Sequence, residues 1–454
     1  MSRAAARLVC LLVAVTIRSA RAVQPSLLPA QGPLSLEKLD AFDALTKLEE
    51  ENGALKKRIA ELEQRVAHTG PHPTHHGPAA TTILDRKRME KVAGPEKRII
   101  LTFVNTVRLD FAATWVAHVR RLGLTNWLVG ATDEGALKAL LADETPTFDM
   151  HTSLPTGEWA WGSPQFKALG PVKVRLIHQA LQWGMELVIT DIDALVLREP
   201  FAYMARWPDA GFLTTSDHLS NSTDDDGLEQ HASIGSAFNI GYMFFRPLAL
   251  PLVTEWLEYL KSDPKNRWDQ GEFNRIARTG WVVTEKKGLT IDGVDGVPPP
   301  LSDPRLFRAY HGRVIGGVLP LALFCGGHNY FVAQMPQRRG VVPYSVHTTF
   351  QYGGAEGKRH RLREATMWDD EPSYYDPPGG MLRYVPDVPA RLIHPPGGMS
   401  AQAHIDLVEH QLGQLGAALA LSIALGRVLI LPPIVCGYDK AWFGTLSRTF
   451  ARRL

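Results

Sequence analysis

The chain is 454 residues long, with 45% hydrophobic and 9% aromatic residues, enough for a sizeable core and for about three domains on length alone. This composition excludes a mostly disordered protein. A formal charge of +2, with no basic cluster interleaved with aromatics, argues against nucleic-acid binding, and Cys10, Cys325 and Cys436 are too few for a disulfide framework or a CxxC metal site.

Residues 1–22 carry Arg3 and Arg7, an apolar run from Leu8 to Ile17, and Ala20-Arg21-Ala22, the small-x-small form of a signal-peptidase site. The run is short against the roughly 20 residues of a membrane-spanning helix, which favours a cleaved signal peptide over a retained signal anchor. In either case the remainder is expected in the secretory lumen, where Cys325 and Cys436 could pair or stay as buried thiols. Within 34–67, Leu45, Leu48, Asn52, Leu55, Ile59, Leu62 and Val66 alternate three and four apart among charged residues, the pattern of a short coiled-coil stalk. Asn52 at an a position would select register and a homodimer. A lone amphipathic helix is the simpler alternative, and Gly53 weakens either by roughly 1 kcal/mol relative to Ala. Residues 68–97 contain Gly70-Pro71, Pro73, Gly77-Pro78 and four histidines, and read as a flexible linker.

A continuous apolar strand, Arg98 to Asn105, opens the globular region, followed by helical spacing over Leu109 to Leu122 and a second strand, Asn126 to Gly130. Strand, helix, strand implies a parallel sheet buried on both faces. No GxGxxG follows the first strand, so the dinucleotide fingerprint is absent. Ligands of open α/β sheets gather at the carboxyl ends of the strands, which makes Asn105, Asp133 and the pair Asp191 and Asp193 candidates for one crevice. Turn formation is the competing role for Asn105 and Asp133. A helix over Lys167 to Trp183, broken near Gly170-Pro171, carries Lys173 and Arg175, either of which could face a diphosphate or solvent.

At Leu187 to Pro200, LVITDIDALVLREP, an apolar strand stops at Asp191 and Asp193, and in an extended backbone residues two apart project to one side. One Mg²⁺ or Mn²⁺ could meet both and neutralise the charge on a departing diphosphate. Asp-x-Asp alone is a weak pattern: Asp224 and Asp226 form another in what reads as a solvated loop. Thr214 to Ser233 is polar and loop-like. Ala237 to Arg246 is a strand interrupted by Asn239 and Gly241, where the glycine suits either close approach to a ligand or a bulge. After an amphipathic helix, Leu250 to Lys261, Trp268-Asp269-Gln270 heads another, with Asp269 also suited to cap it. Val346 to Glu364 gathers His347, Gly353, Gly354, Gly357, Lys358, Arg359, His360 and Arg361, bringing together a borderline metal ligand, a flexible loop and cations. His347 taken alone reads equally as a core histidine. Trp159, Trp161 and Trp268 suit either sugar stacking or core packing.

Taken in order, RIILTFVN, LVITDIDALVLREP, AFNIGYMFFRP, WDQGEFN and YSVHTTFQYGGAEGKRHRLREATMWDDEPSYYDPPGG resemble the nucleotide-diphospho-sugar transferase family of plants and green algae. The likeness is greatest to the extensin arabinosyltransferases, which extend arabinofuranose chains on hydroxyproline-rich wall glycoproteins. It runs from about Arg98 to the C-terminus. The resemblance implies an α/β domain of GT-A type over 98–366, a UDP-sugar donor, Mn²⁺ or Mg²⁺, retention of anomeric configuration and residence in the Golgi lumen. Asp191 and Asp193 match its Asp-x-Asp metal ligands, and His347 sits where related enzymes place a third. Gly354 and Lys358 resemble its diphosphate-binding residues. Asn239, Asp269 and Gln270 resemble residues lining the donor sugar and acceptor, with Gln270 or a neighbouring carboxylate able to stabilise an oxocarbenium-like state. Residues 367–454 resemble the start of a C-terminal α/β extension, expected to be truncated because the chain ends soon after Trp442.

The function expected is therefore retaining transfer of arabinofuranose from UDP to a hydroxyproline-rich glycoprotein. One competing reading is a catalytically silent Golgi scaffold. Another is an aspartate-nucleophile phosphohydrolase, although Leu195 stands where that family often has Thr.

Overall fold

The computed structural model describes residues 82–152, 154, 156–159, 162–279, 281–284, 288–291 and 300–435. The expected signal segment, coiled-coil stalk and histidine-rich tract, together with Trp161, Cys436 and Trp442, lie outside the described residues. The described chain forms two units, divided at 370/371.

Residues 82–97 correct the expected linker. Asp85 accepts the Arg88 N–H at 2.7 Å and caps helix α1 (Arg86–Ala93), whose Met89 and Ala93, one turn apart, are buried against the sheet. Gly94-Pro95, within the expected linker, instead ends the helix, with Gly94 as its C-cap at φ 69°.

The first unit continues through β1 (Arg98–Val104), α2 (Leu109–Arg121), β2 (Trp127–Ala131), α3 (Glu134–Ala142), β3 (Thr147–Asp149), α4 (Pro164–Gln182), β4 (Glu186–Thr190), β5 (Ala194–Val196), α5 (Phe201–Met204) and β6 (Phe212–Ser216). It then runs through β7 (Phe238–Phe245), α6 (Leu250–Ser262), α7 (Asp269–Ala277), β8 (Trp281–Thr284), β9 (Gly288–Ile291), β10 (Phe307–Ala309), β11 (Val314–Val318), β12 (Phe324–Gly326), α8 (Met335–Arg339), β13 (Ser345–His347) and α9 (Gly354–Glu364).

Eight strands form the main sheet in the order β10-β11-β6-β7-β4-β1-β2-β3. Strands β4, β1, β2 and β3 run parallel, as the strand–helix–strand pattern predicts, while β7 lies antiparallel between β4 and β6. All eight residues of β7 are buried, hence its near-continuous apolar run. Side chains alternate between two cores. Ile99, Leu101, Leu187 and Ile189 join Val174, Ile177, Trp256 and Phe273 of α4, α6 and α7 on one face. Ile100 and Val188 join Phe111, Trp115 and Val119 of α2 on the other.

The break expected at Gly170-Pro171 does not occur; α4 runs through Pro171. Burial of its Val174, Ile177 and Leu181 against the sheet outweighs the one hydrogen bond that proline removes. Gly170 serves a packing purpose, since a Cβ there would lie 2.8 Å from that of Asp269.

A second sheet, β12-β13-β5, pairs β12 with β13 in parallel and β13 with β5 antiparallel. Cys325, in β12, is a buried free thiol whose Sγ lies 3.5 Å from the Ala322 carbonyl. In the second unit, β14 (Met381–Leu382) pairs in parallel with β15 (Val428–Leu429), and α10 (Ala390–Ile393) precedes α11 (Ala401–Ala424). Among the described residues, no helix is long and apolar enough to cross a membrane.

Candidate functional site

Asp191 and Asp193 stand where the chain leaves the main sheet for the small one. Strand alternation is not what aligns them: they lie in a tight turn closed by the Ala194 N–H and the Asp191 carbonyl, at 3.0 Å. The Asp191 N–H is tied to the Gly241 carbonyl of β7 at 2.8 Å, and the Asp193 carbonyl accepts the Thr348 N–H at 3.1 Å. Antiparallel pairing of β13 with β5 sets His347 opposite Ala194, which carries a residue from far down the chain to the acidic turn. One ligand atom each from Asp191, Asp193 and His347 lies within 4.8 Å of the others.

The imidazole is oriented by its neighbours. Asn239 donates through Nδ2 to Asp217 Oδ1 at 2.8 Å, and its Oδ1 accepts the Gly241 N–H at 2.8 Å, so the direction of the amide is determined. That oxygen also faces His347 Nδ1 at 3.1 Å, a contact that requires the proton on Nδ1. The Nε2 lone pair of the neutral ring then points at the acids, 3.5 Å from Asp193 Oδ1 and 3.9 Å from Asp191 Oδ2. A lone pair facing two carboxylates is repulsive unless a cation lies between them. The donor set, two hard oxygens and one imidazole nitrogen, fits a divalent ion such as Mn²⁺ or Mg²⁺.

Two lysines complete the cluster. Lys173 of α4 is 3% exposed and donates to Asp191 Oδ1 at 2.6 Å and to the Ile240 carbonyl at 2.8 Å. Lys358 of α9 reaches Asp193 Oδ2, which also accepts the Thr348 hydroxyl at 3.0 Å. Burial pushes the Asp193 carboxyl up, but the Lys358 ammonium beside it holds the group well below the usual carboxylate range. Two carboxylates thus face two ammonium groups.

A model of the nucleotide-diphospho-sugar transferase family matches residues 122–362, just over half of the chain and all three ligand candidates. The chain belongs to this family. Its α/β domain, with the large central mixed sheet, is of the GT-A type. The chain is 43% identical over 360 residues to arabinosyltransferase XEG113 of Arabidopsis thaliana, covering 78% of this chain and 53% of that one. It is 25% identical over 275 residues to arabinosyltransferase RRA1 of the same plant, covering 53% and 66%. The chain therefore spans about half the length of the first relative and about two thirds of the second. Among solved structures, a glycosyltransferase involved in glycosylation of the major capsid of PBCV-1 aligns with a TM-score of 0.32 and 15% identity, over 59% of this chain and 98% of that one.

The remaining candidate residues divide. Gln270 is buried and donates through Nε2 to Asp217 Oδ2 at 2.9 Å. Asp269 opens α7 with Oδ1 accepting the Gln270 N–H at 2.9 Å, so it serves the helix start as well as the cleft. Burial raises its carboxyl to about 6, against the pull of Lys173 and with the help of Asp191.

Asp133 takes up the local role that competed for it, while the Asn105 side chain bonds across the sequence. Asn105 donates to the Gly157 carbonyl at 2.9 Å. Asp133 caps α3 through the Ala136 N–H at 2.8 Å while also accepting the Thr106 N–H and hydroxyl, and although burial opposes this, those bonds lower its pKa. Such a saturated carboxylate has little left for a ligand.

Arg175 is exposed and donates to the Met150 carbonyl at 3.3 Å; two residues along a helix from Lys173, it points elsewhere. The expected flexible loop around Gly354 is instead the start of α9, entered through Gly353 and Gly354 at φ 82° and 58°. Trp159 and Trp268 are half-buried. Around Asp224 and Asp226 the loop is held by arginines: Asp225 by Arg305 at 2.8 Å and Asp226 by Arg206 at 3.1 Å.

Asp217 was not legible as a site residue. It follows β6 directly, a carboxylate just beyond a strand end, but the polar stretch in which it sits reads as loop throughout. A strand ending at Ser216 was the available signal.

Proposed function

We propose that this chain is a retaining, metal-dependent glycosyltransferase that moves arabinofuranose from a UDP donor to the glycan of a hydroxyproline-rich glycoprotein. Family membership and the arabinosyltransferase names of its relatives support the reading. The observation that carries it is the convergence of Asp191, Asp193 and His347 from two sheets.

In this reading Asp191, Asp193 and His347 hold Mn²⁺ or Mg²⁺, which supplies Lewis-acid neutralisation of the charge on the UDP leaving group. Lys173 stays buried against Asp191 and limits the negative charge of the turn. Lys358, 32% exposed at the start of α9, is free to exchange Asp193 for a diphosphate oxygen, and the N–H of Gly354 lies at the same helix start. Gln270, with Asp269 beside it, offers its amide to the sugar face opposite the leaving group, while Asn239 keeps His347 in place. The chain would work in the Golgi lumen, as a type II membrane protein or a cleaved form, paired through its coiled coil.

The test is a donor panel of UDP-arabinofuranose, UDP-galactose, UDP-xylose and UDP-glucose against a hydroxyproline-rich peptide and its short arabinosides. Transfer from UDP-arabinofuranose that stops on chelation and returns with Mn²⁺ is expected. Failure to bind UDP or to release it from any donor would leave the silent scaffold, and a trapped phospho-Asp191 would favour the phosphohydrolase.

A further inference from the structure

Asp217 accepts two amides at once: Asn239 Nδ2 on Oδ1 at 2.8 Å and Gln270 Nε2 on Oδ2 at 2.9 Å. A carboxylate can only accept, so both amides must turn their NH₂ groups toward it and their oxygens away. For Gln270 the oxygen then faces the Ile240 N–H at 3.4 Å; for Asn239 it meets the Gly241 N–H and His347 Nδ1. One side chain thereby fixes the direction of two others, one beside the sugar-facing candidates and one against the metal-ligand candidate.

We propose that Asp217 is a positioning residue that, acting through Asn239, locks His347 in its Nδ1–H tautomer and turns the Nε2 lone pair to the Asp191–Asp193 turn. The proposal rests on the metal-site reading above, and its chemistry follows from the bond directions. Were Asn239 flipped, its NH₂ would face Nδ1, the ring proton would move to Nε2, and the nitrogen nearest the acids would become a donor unable to ligate. An apolar partner at position 217 would leave the Gly241 N–H alone to oppose the flip; an acceptor-only partner opposes it from the other end of the amide.

The polarity of the relay can be exchanged. Asp217→Asn puts a second amide against Asn239 and permits the flip. Asn239→Asp sets two carboxylates face to face. The double variant, Asp217→Asn with Asn239→Asp, restores every bond. The carboxylate at position 239 then accepts from the Gly241 N–H, from His347 Nδ1 and from the amide NH₂ at position 217, whose oxygen accepts from Gln270 in turn.

In the full chain, Mn²⁺ affinity by calorimetry and the His347 tautomer by ¹H–¹⁵N correlation spectra are read together. Each single variant should weaken Mn²⁺ binding about 10- to 100-fold, the range for a lost outer partner of a ligand histidine, and perturb the His347 tautomer. The double variant should return to within about 3-fold of wild type. Unchanged affinity and an unchanged tautomer in Asp217→Asn would overturn the proposal, as would a folded double variant no better than the single ones. If wild type binds no Mn²⁺, the metal reading falls, while the tautomer of the metal-free protein still decides the relay: Nδ1–H in wild type and its loss in Asp217→Asn support it, and the same tautomer in both overturns it.

Discussion

The imidazole of His347 occupies the space that a side chain at Gly241 would need: a Cβ there would lie 2.5 Å from Nδ1 and 2.8 Å from Nε2. The glycine that interrupts β7 therefore admits a histidine, and it lies where β7 slips register against β6, between the pairs Thr214–Met243 and Thr215–Asn239. Gly241→Ala should cost about 1 to 3 kcal/mol of stability through overpacking and move the ring off the acidic turn. Thermal denaturation and an Mn²⁺ titration of the same variant check both halves, and intact metal binding would show that the ring can stay in place.

Asp193→Asn should abolish metal-dependent transfer while the protein stays folded, because the main core lies in the sheets rather than at the turn. His347→Ala should weaken metal binding more than acceptor binding, by about 10-fold or more, as loss of a ligand does. Turnover of Asp193→Asn at the wild-type rate under saturating Mn²⁺ would remove the acid from the site.

Lys358 and a metal ion compete for Asp193 in the geometry described. Lys358→Met should tighten Mn²⁺ binding in the absence of nucleotide and loosen UDP binding in its presence, each by several-fold. Calorimetry with and without UDP gives the two numbers, and movement of both in the same direction would refute an exchange of partners.

Asp269 has its carboxyl raised to about 6 by burial in the folded chain, against an ordinary value of 3.8. Between those values the folded state binds more protons than the unfolded one, so this group's contribution to stability is present at low pH and is lost as pH rises through 6. Asp269→Asn should make the metal-free protein more stable above pH 6 by up to about 3 kcal/mol relative to wild type, with the difference vanishing near pH 4. Denaturant midpoints measured at pH 4 and pH 7.5 decide it.

Much of this architecture could be read before any coordinates. The apolar runs of β1, β2 and β4 announced a parallel core, that of β7 a strand buried on both faces, and Leu250 to Lys261 announced α6. What escaped depends on tertiary contacts. Helix α1 is short, and without the sheet beneath Met89 nothing separates it from the linker before it. Pro171 spoke for a break that packing overrides. Asn105, Asp133, Asp191 and Asp193 looked alike as polar residues at strand ends; only the bonding of each distinguishes a saturated cap at Asp133 from a carboxylate open to an ion. Placing His347 beside the acids needed the β13–β5 pairing, which local pattern does not encode; the family resemblance named His347 as a third-ligand candidate without it.

Because Asp191 hangs from the large sheet while Asp193 and His347 belong to the small one, the gap between the three donor atoms works as a caliper set by how the two sheets bear on each other. An aromatic wedge braces the small sheet: Phe324 stacks on Tyr344 at 5.2 Å, with Tyr203 against both. Trimming that wedge would open or narrow the jaws without touching a ligand. Choice between Mg²⁺, which tolerates little departure from octahedral geometry, and the more forgiving Mn²⁺ would then shift with a mutation buried in the hydrophobic interior.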